Sequence, residues 1–280
     1  METHIESNKK KITLSKKIVN KIINKDTLSL VVFISVFLVL WQLVYLSEIF
    51  PKLSLPSPFA VGQTIIELLL DFTLIKGTAI TLWRLFLGFL LSLTIGLITG
   101  LIMIKFQQFG KTMSSFAVGL QSFPSIAWIP FAILLIGFND LGILFVVVMS
   151  SVFSVMLSTY SGLRNVPPIY IRAARNMGGK GISLFRHVLI PAATPTLIIG
   201  MRQAWSFAWH ALIGAEMLIT TLVGLGYILS VGREFSNMSQ IIATMIVIFT
   251  IGLIFDRVVF MKIEEKIRDR WGLNQQKIEQ

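Results

Sequence analysis

The sequence has no cysteine, and only 14% of its 280 residues are charged. Without cysteine there is no disulfide, no thiolate metal site and no cysteine nucleophile. Soluble domains carry about 25% charged residues, so this chain lacks the charge to cover a water-facing surface. Its three histidines, His4, His187 and His210, are too scattered for a metal site, and no serine–histidine–acid set is visible in the spacing. Alternating ten-residue strands are absent, which excludes a membrane β-barrel and leaves helices as the way to satisfy a backbone in lipid. Apolar residues are in excess: 54% are hydrophobic, and the mean hydropathy is +0.77.

Those residues come in long runs. No charge occurs in 27–47, 141–163 or 235–255, nor between Lys111 and Asp140. Arg84 is the only charge between Lys76 and Lys105, and Arg202 the only fixed charge between His187 and Glu216. About 20 apolar residues cross a bilayer core, so the expectation is an all-α integral membrane protein with about six transmembrane helices. The first run is long, follows a polar segment and lacks a small-residue exit, so no cleavable signal peptide is expected. The expected organisation is a basic segment (1–27), a peripheral first helix (28–46), an outer loop (47–77), a core (78–260) containing an inner loop (161–187), and a tail (261–280).

The net charge of +11 invites a nucleic-acid reading, but its placement argues otherwise. With a cytoplasmic N-terminus, nineteen lysines and arginines fall inside and only Lys52, Lys76 and Arg233 outside. The positive-inside rule predicts this asymmetry, so the charge reports topology: inner membrane, multi-pass, both termini cytoplasmic. The segment Lys9 to Lys25 alternates lysines with aliphatics. It reads either as an amphipathic helix on anionic lipid or as a solvated basic tail.

Gly88, Ser92, Gly96 and Gly100 recur every four residues in the second span. Ser150, Ser154 and Ser158 do so in the fourth, and Gly200, Ala204 and Ala208 in the fifth. Such stripes read as close-packing seams. Pro124 and Pro130 in the third span should each kink or break it, as a hinge beside a translocation path or as a static bend. In the inner loop, Pro167-Pro168 opens a helix that Gly178-Gly179 ends. A second short helix, 182–186, then leads to Pro191.

At this loop the sequence resembles the ABC importer permeases, whose signature is Glu-Ala-Ala, three residues, Gly, nine residues, then Ile-x-Leu-Pro. Here Ala173-Ala174, Gly178 and Val188-Leu189-Ile190-Pro191 keep that spacing, and Arg172 replaces the glutamate. Leu55-Pro56-Ser57-Pro58, Trp83-Arg84, the Phe123–Pro130 stretch, Gly200-Met201-Arg202, Ala215-Glu216-Met217 and Gly224-Leu225-Gly226 look like permeases of the taurine, aliphatic sulfonate and nitrate type. Bicarbonate and pyrimidine vitamin-precursor systems use similar subunits. The resemblance implies a type I importer core, a homodimer of permeases, two cytoplasmic ATPases holding ATP and Mg, and an extracytoplasmic binding protein. It also implies that Arg172, Ala173, Ala174, Gly178 and Pro191 form the cytoplasmic coupling helix and its surround. No nucleic acid and no cofactor on this chain are expected.

The chain should not hydrolyse ATP itself, because Gly110-Lys111-Thr112 would need a glycine where Lys105 stands. On the fifth span Gln203, Phe207 and His210 fall on one helix face and are candidate path residues, with Pro124 and Pro130. Arg202 and Glu216 need partners at membrane depth: either they serve the path or they form internal ion pairs. Trp205 and Trp209 read as packing. A secondary transporter is the competing class, disfavoured because no inverted-repeat halves are apparent and carboxylates for proton coupling are scarce within the spans.

Overall fold

The computed structural model describes residues 25–51, 54–219 and 222–270. The basic segment before Lys25 and the end of the tail therefore lie outside the described residues. So does the expected amphipathic helix there. All regular elements among the described residues are helical.

The chain forms two compact units, residues 1–64 and 65–280. The first contains α1 (Lys25–Leu46) and the start of α2 (Pro58–Leu70). Trp41 Nε1 donates to Pro56 O at 3.1 Å, and Ser57 Oγ caps α2 by accepting from Ala60 N–H at 3.1 Å, with Pro58 as the first helical residue.

The second unit is built around α6 (Asp140–Arg164), flanked by α3 (Thr73–Lys105) and α8 (Ile190–Leu218). In α6, 61% of the apolar window is buried, against 28% in α3. The small-residue stripes supply this closeness. A β-carbon on Gly88, Gly96 or Gly100 would lie 2.6 Å from Val147, Val155 or Thr159 of α6, and one on Gly200 would overlap Ser158. With little apolar effect to drive helices together in lipid, such shape complementarity and interhelical hydrogen bonds hold the bundle. Ser92 and Ser151 share a buried 2.7 Å hydroxyl contact across α3 and α6. Ser154 Oγ donates to Gly200 O at 3.1 Å. The stripes are packing seams, as expected.

The third span departs from the expectation. It comprises α4 (Gln107–Gln121), a 3₁₀ turn (Ser125–Ala127) and α5 (Trp128–Leu135), with a 92° bend between the two arms. Pro124 sits at the bend in extended conformation. Pro130 breaks nothing: it is the third residue of α5, where its N–H would have no intrahelical partner anyway. Among the described residues five helices are long and apolar enough to cross a membrane, or six if the bent pair is one span.

Between α6 and α8, α7 (Pro168–Asn176) lies outside the bundle end. The second short helix is not separate. Gly181–Leu184 and a π turn, Phe185–Leu189, run on into α8 as one 38-residue helical stretch. Widening to i→i+5 pairing accommodates a ring that cannot donate and would crowd the preceding carbonyl, here Pro191. After α8 the chain folds back as α9 (Leu225–Glu234) and returns as α10 (Met238–Phe255). A second π turn, Asp256–Met261, leads into α11 (Lys262–Arg270).

Candidate functional site: two arginine clusters, a groove and an exposed loop helix

Arg84 on α3 and Glu216 on α8 meet in the core. Arg84 Nη1 lies 2.8 Å from Glu216 Oε1, and its Nη2 lies 2.7 Å from Asp140 Oδ1 at the start of α6. The Glu216 side chain is fully buried and that of Arg84 is 7% exposed. The Glu216 carboxylate also accepts from Thr81 Oγ1 (3.0 and 2.9 Å) and from Gly226 N–H (3.0 Å). Buried charge persists only where it is paired and hydrogen-bonded in this way.

A second cluster lies 14 residues earlier on α8, about 21 Å along the helix axis. Arg202 grips Asp256 through Nε (2.8 Å) and Nη2 (2.7 Å), and reaches Glu264 through Nη1 (3.0 Å). Its cation is matched by two carboxylates. Of the two readings of Arg202, the internal ion pair is the one the structure shows.

Between α8 and α10 opens a groove of about 860 Å³, whose wall includes Gln203, Ser206, His210, Trp209 and Phe249, with Arg202 and Asp256 at the end nearer α7. Gln203, Ser206 and His210 are exposed to it. Of the path candidates, the structure brings Gln203 and His210 together there. Phe207 is half-buried and lies outside the wall, and Pro124 and Pro130 are exposed elsewhere on the surface, also outside it. Ser206 is an addition that the helical spacing from Gln203 and His210 would have found. Trp205 stacks on Phe255 at 4.0 Å and meets Phe89 edge-on at 5.1 Å, so it is packing. Trp209 packs as well, and both tryptophans also line the groove.

At the other end of α6, about 37 Å away by helix rise, α7 is held by a small apolar cluster of Leu163, Val166 and Ala193 with Ile171, Phe185 and Leu189. Its end is a Schellman motif: Gly179 N–H bonds Ala174 O (2.8 Å) and Gly178 N–H bonds Arg175 O (3.0 Å). Gly178 has φ +85°, and a β-carbon there would meet nothing, so its backbone rather than space demands glycine. Arg172, Ala173 and Gly178 are exposed, Ala174 turns inward, and Pro191 sits half-buried beyond the π turn. Among the described residues no group of three histidine or acidic side chains is arranged to hold a metal.

Residues 92–263 match the family described as the binding-protein-dependent transport system inner membrane component. The chain belongs to that family. It is therefore an ABC importer permease, a multi-span membrane protein. Over 185 residues it is 32% identical to a Methanocaldococcus jannaschii protein named as an ABC transporter permease, covering 66% of this chain and 69% of that one. It is 27% identical to a Bacillus subtilis protein named as an aliphatic sulfonates transport permease (85% of each chain). It is 28% identical to a Synechocystis bicarbonate transport system permease (79% and 82%). Structures of the MetNI methionine ABC transporter in inward-facing conformations share the fold, with TM-score 0.57, 18% identity, and coverage of 71% of this permease and 97% of that chain. The likeness is one of fold.

Sequence reasoning missed the partners of Glu216. The signal was present: an arginine and a glutamate in two spans, neither affordable alone in a bilayer.

Proposed function

We propose that this permease forms a homodimer that carries a small anion inward across the cytoplasmic membrane. Two cytoplasmic ATPases, which bind the ATP and Mg, drive it, and an extracytoplasmic binding protein loads it. Both termini lie in the cytoplasm, as does α7, whose end of the bundle carries Arg172, Arg175, Lys180 and Arg186.

One observation carries the reading: α7 rests on a small apolar cluster at the end of α6 and the start of α8, ends at a left-handed glycine, and exposes Arg172, Tyr170 and Met177. A short helix so placed can enter a cleft of a soluble motor and pass its movement to α6 and α8, the two helices it joins. Through Arg172, Ala173 and Gly178 it serves as the coupling helix. Ala174, buried on its inner face, anchors it, and Pro191 begins the span that follows.

The cargo class follows the sulfonate and bicarbonate systems named among the relatives. Because Arg202 is already neutralised, anion affinity resides mainly in the binding protein. The groove supplies Gln203, Ser206 and His210 as polar contacts.

The test is ATPase activity of the purified permease–ATPase complex with loaded binding protein, across taurine, an alkanesulfonate, nitrate, bicarbonate and a pyrimidine vitamin precursor. Stimulation by one anion supports both importer and cargo class. Stimulation by the vitamin precursor alone overturns the anion. Failure to isolate any complex with the ATPase overturns the coupling role of α7. Within that assay Gly178→Asn, which tolerates positive φ, should retain stimulation, whereas Gly178→Val should lose most of it while inserting normally.

A further inference from the structure

The buried Arg84–Glu216 cluster does more than neutralise charge, because every remaining bond it makes goes to one short stretch of backbone. Arg84 Nη1 donates to Val223 O at 2.8 Å. Thr81 Oγ1 accepts from Leu225 N–H at 2.9 Å while donating to Glu216. Glu216 accepts from Gly226 N–H at 3.0 Å. The two glycines make the approach possible. A β-carbon on Gly224 would lie 2.6 Å from the Glu216 carboxylate, and one on Gly226 would lie 2.5 Å from Glu216 Cβ. Gly224-Leu225-Gly226 is thus the cradle of Glu216, and Leu222, just before it, is 85% exposed.

We infer that Arg84, Thr81 and Glu216 are positioning residues: they latch the turn from Val223 to Gly226, and with it α9, in the one arrangement that the extracytoplasmic binding protein recognises. This rests on the proposed importer function. A partner that needs one loop conformation binds more weakly in proportion to the fraction of molecules lacking it. Releasing the latch should therefore raise the binding-protein concentration needed for stimulation without touching the ATPases, which would dock at the opposite end of α6.

The permease–ATPase complex is assayed in lipid nanodiscs with the loaded binding protein that stimulates the unaltered complex. In parallel, a spin label is placed on Leu222→Cys, the chain having no cysteine of its own. Glu216→Gln keeps the shape but loses the charge. It should need about tenfold more binding protein for half-maximal stimulation, the loss of one charge-assisted bond, with basal ATPase within about twofold and a more mobile label. Thr81→Val should shift the same readouts by about fivefold, and Thr81→Ser should restore them. Should Glu216→Gln fail to accumulate, the Thr81 pair alone decides. Unchanged half-maximal concentration and label mobility in Thr81→Val overturn the latch. If no binding protein stimulates the unaltered complex, the importer reading falls, while the label still reports whether these residues hold the loop.

Discussion

The two arginine clusters have the same composition, one guanidinium and two carboxylates, and opposite settings. At Arg84 the main partner, Glu216, is wholly buried and also bound by a hydroxyl and a backbone amide. At Arg202 the side chains of Arg202, Asp256 and Glu264 are 39%, 36% and 33% exposed, and no backbone group is engaged among the bonds Arg202 makes. The first arrangement cannot be opened without stranding a charge in the core. The second opens onto a groove, and breaking it strands nothing. If the bundle moves in the proposed transport cycle while the loop from Val223 to Gly226 is held, the two kinds of cluster would serve different ends of that cycle.

The largest effect should come from Glu216→Ala. It removes the buried partner of Arg84 and leaves it only the carboxylate of Asp140, whose side chain is 63% exposed, so the permease should lose about 3–5 kcal/mol of stability, read from unfolding in detergent or mixed micelles. A loss under about 1 kcal/mol would mean that the cluster is reached by water. Next comes Gly96→Leu in the uncharged seam between the clusters, where a β-carbon already lies 2.6 Å from Val155. Overpacking there should cost about 1–3 kcal/mol. The smallest effect belongs to Arg202→Gln, at most about 1 kcal/mol, fading as salt is added if the groove is wet. A salt-independent loss of several kcal/mol would show a dry groove and erase the contrast.

Much of this was legible in the sequence. Charge-free windows marked the spans, and the small-residue stripes marked the seams. Pro167-Pro168 and Gly178-Gly179 marked the ends of α7 to within about two residues. What escaped has a common character. Pro130 was read as a break because proline inside an apolar run usually is one, yet the 92° bend ahead of it makes it part of a new first turn, where it does no harm. The short helix at 182–186 vanished into α8 because a π turn absorbed Pro191. Phe207 was grouped with Gln203 and His210 by spacing alone, but in the bundle it is half-buried and lies outside the groove wall.

The sequence by itself determined that the chain crosses a membrane several times, which end bears positive charge, and where an exposed helix ends on a left-handed glycine. Each of these rests on local composition or on one residue's backbone preference. Only the tertiary structure decided that Arg84 meets Glu216 across 132 positions, that Arg202 is spent on Asp256 and Glu264, and that Gly224 and Gly226 serve a carboxylate. Those outcomes depend on which helix faces the close-packed seams bring together, and a charge in a bilayer takes whatever partner that packing places within reach.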